Sequence, residues 1–343
     1  MRNDSRHTTL DFRPFPLLGN PHTQTIAAWL GSRREPPSER HGIDLDDGDR
    51  LAVEVSTPPS WHDGDATVLM LHGLCGCHMS HYMVRLARRF YREGVRAVRI
   101  NQRGCGSGRG LAKQPYHSGR SDDALAVARA FSSDADRARL TLLGFSLGAN
   151  IALKLAGELG AAASDLVERV VAVCPPSDLA ACSARLCDPA NRLYDRYFVS
   201  LLRADVAYRH RAFPDLGPVS LPDRMNVREF DEVYTAPRCG FASAADYYER
   251  ASSAHLLPSI AVPCDVLLAR DDPLIDPTTF DALDLPDHVE VCKTERGGHL
   301  GFLGTPGRLG GVRWMDWWVV SRALAGQETY GVQSSSGADR MAK

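Results

Sequence analysis

The sequence has no excess of either charge: 40 basic residues stand against 42 acidic ones, a formal net charge of -2. Nucleic-acid binders carry a clear surplus of Lys and Arg, so no nucleic-acid partner is expected. Arg85, Arg88 and Arg89 form a local basic cluster on one side of an expected helix, which reads as a solvated face. Long apolar runs are missing too, and without them no integral membrane segment is expected. The stretch Met1 to Leu10 is polar and lacks the apolar core of a secretory signal. The nine cysteines include no Cys-x-x-Cys pair, which argues against a zinc ribbon or a thioredoxin-like redox motif. Scattered thiols without a leader fit a cytoplasmic chain with reduced cysteines. Internal repeats and long low-complexity stretches are also absent.

What remains is an ordinary globular composition, 44% hydrophobic and 24% charged over 343 residues. That is enough chain for one α/β domain carrying an insertion. Residues 1–9 and 327–343 lack periodicity and read as tails. Between them, short apolar runs alternate with longer helical stretches. Strands are expected at residues 43–46 and 51–56, flanking an Asp47-Gly48 hairpin, and at 68–71, 95–100, 140–144, 170–173, 264–269 and 289–292. Helices are expected over residues 82–93, 121–131 with Ser121 as cap, 147–159 and 314–324. Unbroken apolar strands are covered by helices on both faces, so this alternation predicts a mostly parallel central sheet flanked by helices. Residues 177–257 break the rhythm and read as a mainly helical cap inserted into a core made of residues 10–176 and 258–326.

The sharpest chemical signal is Gly144-Phe145-Ser146-Leu147-Gly148. It lies between an expected strand and an expected helix, where a G-x-S-x-G elbow presents its serine. A serine hydroxyl needs a base, and this arrangement orders the partners Ser, then Asp or Glu, then His. Asp271-Asp272-Pro273 follows one later strand and Gly297-Gly298-His299-Leu300-Gly301 follows the next. The expected catalytic residues are therefore Ser146, Asp272 and His299. Pro273 stiffens the loop at Asp272, and Asp271 is left a supporting role. An oxyanion hole is expected from the backbone N–H groups of Leu147 and of Leu74, in the His72-Gly73-Leu74 turn. His72 reads as a loop-shaping residue. The glycines of Asn101-Gln102-Arg103-Gly104-Cys105-Gly106-Ser107-Gly108 fit no phosphate-binding spacing and read as loop geometry. No metal and no organic cofactor is required.

Several segments together resemble the YheT-like branch of the α/β-hydrolase superfamily, the AB hydrolase-4 family, which groups with the animal ABHD1, ABHD2 and ABHD3 proteins. They are Asn20-Pro21-His22-Thr23-Gln24-Thr25-Ile26, Leu71-His72-Gly73-Leu74 with Ser80-His81-Tyr82, Asn101-Gln102-Arg103-Gly104-Cys105-Gly106, and Gly144-Phe145-Ser146-Leu147-Gly148-Ala149-Asn150. Phe230-Asp231, Asp246-Tyr247-Tyr248, Asp271-Asp272-Pro273 and Gly298-His299-Leu300-Gly301-Phe302 complete the set. The first and last segments are the most specific. Where relatives often carry an acidic and small polar residues, this chain has Cys75-Gly76-Cys77-His78, which alters pocket polarity. A soluble, prokaryote-like member without the membrane-anchoring N-terminus of the animal relatives is expected.

The resemblance implies the α/β-hydrolase fold and a serine hydrolase of carboxylic esters, short-chain or lipid such as acylglycerols, with the triad on Ser146, Asp272 and His299. The expected partner is a small ester or lipid substrate. Phe198, Tyr208, Phe230, Tyr247 and Tyr248 are candidate pocket walls, and alkylation of Cys75 and Cys77 would block access. Two alternatives stand beside hydrolysis. One is acyl transfer to alcohol or thioester acceptors by the same triad; the other is a ligand-binding member of the fold without catalysis.

Overall fold

The computed structural model describes residues 7–31, 34–132, 140–304 and 312–326. Among the described residues, nine strands form one sheet in the order β1-β9-β8-β7-β6-β4-β5-β3-β2. They are β1 (His7–Thr9), β2 (Glu39–Asp44), β3 (Arg50–Ser56), β4 (Thr67–Leu71), β5 (Arg96–Asn101), β6 (Leu140–Phe145), β7 (Arg169–Val173), β8 (Cys264–Ala269) and β9 (Val289–Thr294). The pairs β2/β3 and β3/β5 are antiparallel; the remaining pairs are parallel. Strands β4, β6 and β8 are buried along their whole length. That is the signature of a sheet covered on both faces, and it explains why these strands read as unbroken apolar runs.

The covering helices are α1 (Pro21–Ala27), α2 (His81–Arg92), α3 (Ser121–Phe131), α4 (Leu147–Leu159) and, near the C-terminus, α10 (Trp314–Ala323). Between β7 and β8 the chain forms α5 (Leu179–Leu186), α6 (Arg192–Ala212), α7 (Val227–Phe230), α8 (Ala236–Arg238) and α9 (Ala244–Ala251), joined by short 3-10 turns and a π-helical turn. These elements lie where the sequence rhythm breaks, and they contain no strand among the described residues.

Three local expectations are corrected. Residues 7–9 were expected in a tail, yet His7–Thr9 add a parallel edge strand beside β9. Three residues are too few to carry periodicity, so the pairing was invisible in sequence. Ser121 does not cap α3; it is the first helical residue, and its hydroxyl donates to Glu158. Arg85 is not part of a solvated face. Its guanidinium grips both oxygens of Asp316 on α10 at 2.8 and 2.9 Å, tying α2 to the C-terminal helix. The expected tail 327–343 lies outside the described residues.

The glycine-rich loop after β5 is held by an ion cluster. Arg103 is buried and donates to Asp123 on α3, to Asp49 and to Asp47. The loop is thus tied by a buried cation to α3 and to the turn between β2 and β3. Replacing Arg103→Met leaves Asp49 and Asp123 buried without the cation they share. Urea denaturation of this variant is expected to lose about 3–5 kcal/mol of unfolding free energy; an unchanged midpoint would contradict the cluster's role.

Candidate active site

The sheet places its chemistry at one edge. β4 lies between β5 and β6 in the sheet, so the chain leaves β4 to one side and returns on the other. Ligands bind at the carboxyl ends of strands where the connections diverge in this way. The turn after β4 and the turn after β6 are neighbours there, since Leu71 and Gly144 are paired.

Ser146 sits on a sharp turn with φ 51 and ψ -123, a left-handed conformation rare for a side chain. Its surroundings enforce it. A Cβ on Gly144 would lie 2.4 Å from Ala149 Cα, and one on Gly148 would lie 2.4 Å from the Leu71 carbonyl oxygen. Both positions therefore need glycine for close strand–helix contact. The Ser146 amide donates to the Val173 carbonyl at 2.8 Å, locking the turn against β7.

The three side chains expected to work together are in contact. His299 Nδ1 is 2.8 Å from Asp272 Oδ2, and His299 Nε2 is 2.9 Å from Ser146 Oγ. A carboxylate can only accept, so Nδ1 carries the imidazole proton and Nε2 accepts from the Ser146 hydroxyl. Asp272 is buried, and its other oxygen accepts from the amides of Leu274 and Ile275 at 2.8 and 3.0 Å. Asp271 instead turns away and accepts from the Gly298 amide at 2.9 Å, bracing the loop that carries His299. Burial raises the Asp271 carboxyl above its ordinary value.

The amides of Leu74 and Leu147 donate to no partner among the described residues, while the Gly73 amide between strand and turn is engaged by Tyr82 and the Cys75 amide by Tyr116. Gly73 packs so closely that a Cβ there would lie 3.1 Å from Ser146 Cβ. His72 is fully buried. Its Nδ1 donates to the Gly73 carbonyl at 2.8 Å and its Nε2 accepts from the Gln102 amide. Burial pushes this imidazole down to about 4, so it stays neutral and shapes the turn.

Several residues that hold the site were not singled out for this role in the sequence. Thr25 Oγ1 accepts from the His299 amide at 2.9 Å. Gln24, fully buried on α1, accepts from the Leu303 amide and donates to the Leu303 and Leu18 carbonyls. The Asn20-Pro21-His22-Thr23-Gln24-Thr25-Ile26 segment therefore cradles the His299 loop from the far end of the chain. From the insertion, Arg185 donates to the Asp272 and Pro273 carbonyls, and Asn191 to the Pro273 carbonyl at 2.7 Å. Only the specificity of the N-terminal segment pointed to such a role; Arg185 and Asn191 gave no local signal.

Two cavities meet at Ser146. One, of about 100 Å³, runs beneath the insertion and includes Phe198, Tyr247 and Tyr248 in its wall. The other, of about 430 Å³, is an apolar groove bordered by Ile26, Trp29, Leu193, Tyr197 and Phe198. Two expected wall residues are elsewhere. Phe230 packs on Leu202, Val206 and Tyr234, and Tyr208 lies under the Arg109 guanidinium at 4.8 Å. Cys174, Asp272 and His299 offer potential metal-ligand atoms within 4.8 Å of one another. Burial holds the Cys174 thiol well above its ordinary value, so it is a protonated and poor ligand.

The chain matches the family described as alpha/beta hydrolase fold over residues 66–306. It belongs to that family. YheT of Escherichia coli (strain K12) is 32% identical over 331 residues, covering 94% of this chain and 94% of its own length. Phospholipase ABHD3 of Mus musculus is 28% identical over 256 residues, 73% of this chain and 60% of its own. Medium-chain fatty acid ethyl ester synthase/esterase 2 of Saccharomyces cerevisiae (strain ATCC 204508 / S288c) is 28% identical over 265 residues, 69% of this chain and 58% of its own. Among solved structures, 2,6-dihydroxy-pseudo-oxynicotine hydrolase superposes with a TM-score of 0.57 at 20% identity, over 90% of this chain and 74% of that one, a likeness of fold. The protein is thus a hydrolase of the α/β-hydrolase fold, in the branch its motifs resemble. No helix among the described residues is long and apolar enough to cross a membrane.

The cysteines beside this hydrolase's site bear on reactivity. Burial pushes the Cys75 thiol up to about 12, and its sulfur accepts from the Tyr116 hydroxyl. The thiolate is the form that alkylates. Iodoacetamide at pH 8 is therefore expected to label Cys75 at least about a hundredfold more slowly than in the unfolded chain, read by peptide mass spectrometry. Equal labelling rates would contradict this environment.

Proposed function

We propose that the protein is a serine esterase that cleaves carboxylic esters through an acyl-enzyme on Ser146. The continuous contact from Asp272 through His299 to Ser146, at 2.8 and 2.9 Å, carries this reading. His299 Nε2 takes the hydroxyl proton as Ser146 Oγ attacks the ester carbonyl. Asp272 fixes the tautomer and stabilises the imidazolium. The carbonyl oxygen becomes an oxyanion facing the Leu74 and Leu147 amides, and a loss of one such donor costs about 3 kcal/mol of transition-state stabilisation. The tetrahedral intermediate collapses, and His299 returns its proton to the departing alcohol oxygen. Water then attacks the acyl-enzyme, giving its proton to His299, and the acid is released as Ser146 regains its hydrogen.

The apolar groove supports substrates with one extended hydrocarbon half, which it would remove from water. Names of relatives, a phospholipase and an ethyl ester synthase/esterase, agree with lipid or fatty esters. The second of those names also favours a minor branch in which an alcohol replaces water in the second half-reaction, with the same residues. Added ethanol would then divert acid to ethyl ester.

The test is hydrolysis of p-nitrophenyl esters of graded chain length. Ser146→Ala and His299→Ala are expected to fold and lose nearly all turnover, and Asp272→Asn to drop kcat by about 10⁴. Full activity in Ser146→Ala would remove the proposal, and normal turnover by Asp272→Asn would remove the assignment of the acid.

A further inference from the structure

Part of the cavity beneath the insertion has no place in this mechanism. The wall of this cavity runs from Ser146 and His299 to Ser183, Asp231, Thr235 and Tyr248. The Tyr248 hydroxyl donates to Asp231 Oδ2 at 2.8 Å and accepts from the Ser183 hydroxyl at 3.0 Å. Asp231 opens a π-helical turn, Asp231–Thr235, an irregularity that recurs at functional sites. The residue keeps some accessible surface and lines the cavity. Its stabilising partners are the hydroxyls of Thr235 and Tyr248, with no cation beside them among the described residues, and burial pushes its carboxyl up to about 6. An acid in an apolar chamber without a counter-charge has acceptor capacity to spare. Asp231 and Tyr248 also belong to the Phe230-Asp231 and Asp246-Tyr247-Tyr248 segments, which the triad chemistry leaves unexplained.

The two cavities are not equivalent. The groove reaches the surface through Ile26, Trp29, Leu193 and Tyr197, all exposed. None of the residues lining the smaller cavity is exposed. An acyl-enzyme keeps its acyl half attached while the alcohol departs and water enters. The groove, with its exposed rim, suits the half that leaves, and the cavity beneath the insertion, lined by residues none of which is exposed, suits the half that stays.

We propose that Asp231, backed by Tyr248 and Ser183, binds a hydroxyl group on the acyl half of the substrate, so that the enzyme selects esters of hydroxy acids. This rests on the serine esterase reading above. A neutral hydroxyl donates to Asp231 at little desolvation cost, whereas an ammonium must be stripped of water in a chamber walled by Leu179, Leu186, Leu202 and Val227. A methyl end would leave the carboxyl's remaining acceptor capacity against hydrocarbon, with no donor beyond Thr235 and Tyr248, which is the kind of situation that gives hydroxyl-reading sites their discrimination.

The test uses methyl esters of ω-hydroxy acids of graded length, each against the ester ending in methyl instead of hydroxyl and the one ending in ammonium. Acid release is followed by titration with Ser146→Ala as control. At the matching length, kcat/KM is expected to favour the hydroxyl by at least about tenfold over its methyl counterpart. Asp231→Leu is expected to bring that ratio to about one or below, and the nearly isosteric Asp231→Asn to lower it, which keeps the test informative if the leucine variant does not fold. Preference for methyl or ammonium at every length, or a hydroxyl preference that survives both substitutions, would overturn the proposal while leaving the esterase reading intact. Absence of Ser146-dependent cleavage of any ester would overturn both.

Discussion

The structure depends on one imidazole being held at both ends. His299 can accept from Ser146 only while Asp272 occupies its other nitrogen, because that bond selects the tautomer. Neither bond is set by local sequence. Ser146 follows β6, Asp272 follows β8 and His299 follows β9, so only the parallel sheet brings the three to one edge. The strained turn at Ser146 and the glycines that permit it have value only because this meeting occurs.

Much of the remaining architecture braces that contact. Thr25 holds the His299 amide and Asp271 the Gly298 amide, while Arg185 and Asn191 hold the carbonyls of the Asp272 loop. Tyr194 of the insertion accepts or donates at His22 Nδ1, 3.1 Å away, and stacks on its ring, so α1 and α6 are joined beside the same loop. Groups from the N-terminal segment and the insertion thus fix two loops that neither contains. Such bracing is expected to hold the Asp272–His299–Ser146 contacts to within a few tenths of an ångström.

What could be read in the sequence follows from how local each signal is. Strands β4, β6, β7 and β8 were legible because a strand buried on both faces is an unbroken apolar run. Helix α4 was legible because Gly144-Phe145-Ser146-Leu147-Gly148 marks its start. Ser146, Asp272 and His299 could be named because motif order and strand position agree. Asp272 over Asp271 rested on Pro273 and on the family resemblance; in the structure Asp272 contacts His299 while Asp271 accepts from the Gly298 amide. The rest was illegible for physical reasons. The three-residue edge strand has no period, the Arg85–Asp316 pair spans distant helices, and Phe230 and Tyr208 look no different in sequence from Phe198 and Tyr247, which do face the cavity. Side-chain direction within a cap of short, irregular helices is decided by tertiary packing.

The most direct test is a crystal structure after reaction with an alkyl fluorophosphonate, a mimic of the tetrahedral intermediate. Phosphorus is expected on Ser146 Oγ, with the phosphonyl oxygen within about 2.7–3.1 Å of both the Leu74 and Leu147 nitrogens and His299 Nε2 beside the remaining oxygen. Phosphorus on another residue, or a phosphonyl oxygen turned away from both amides, would contradict the site as described.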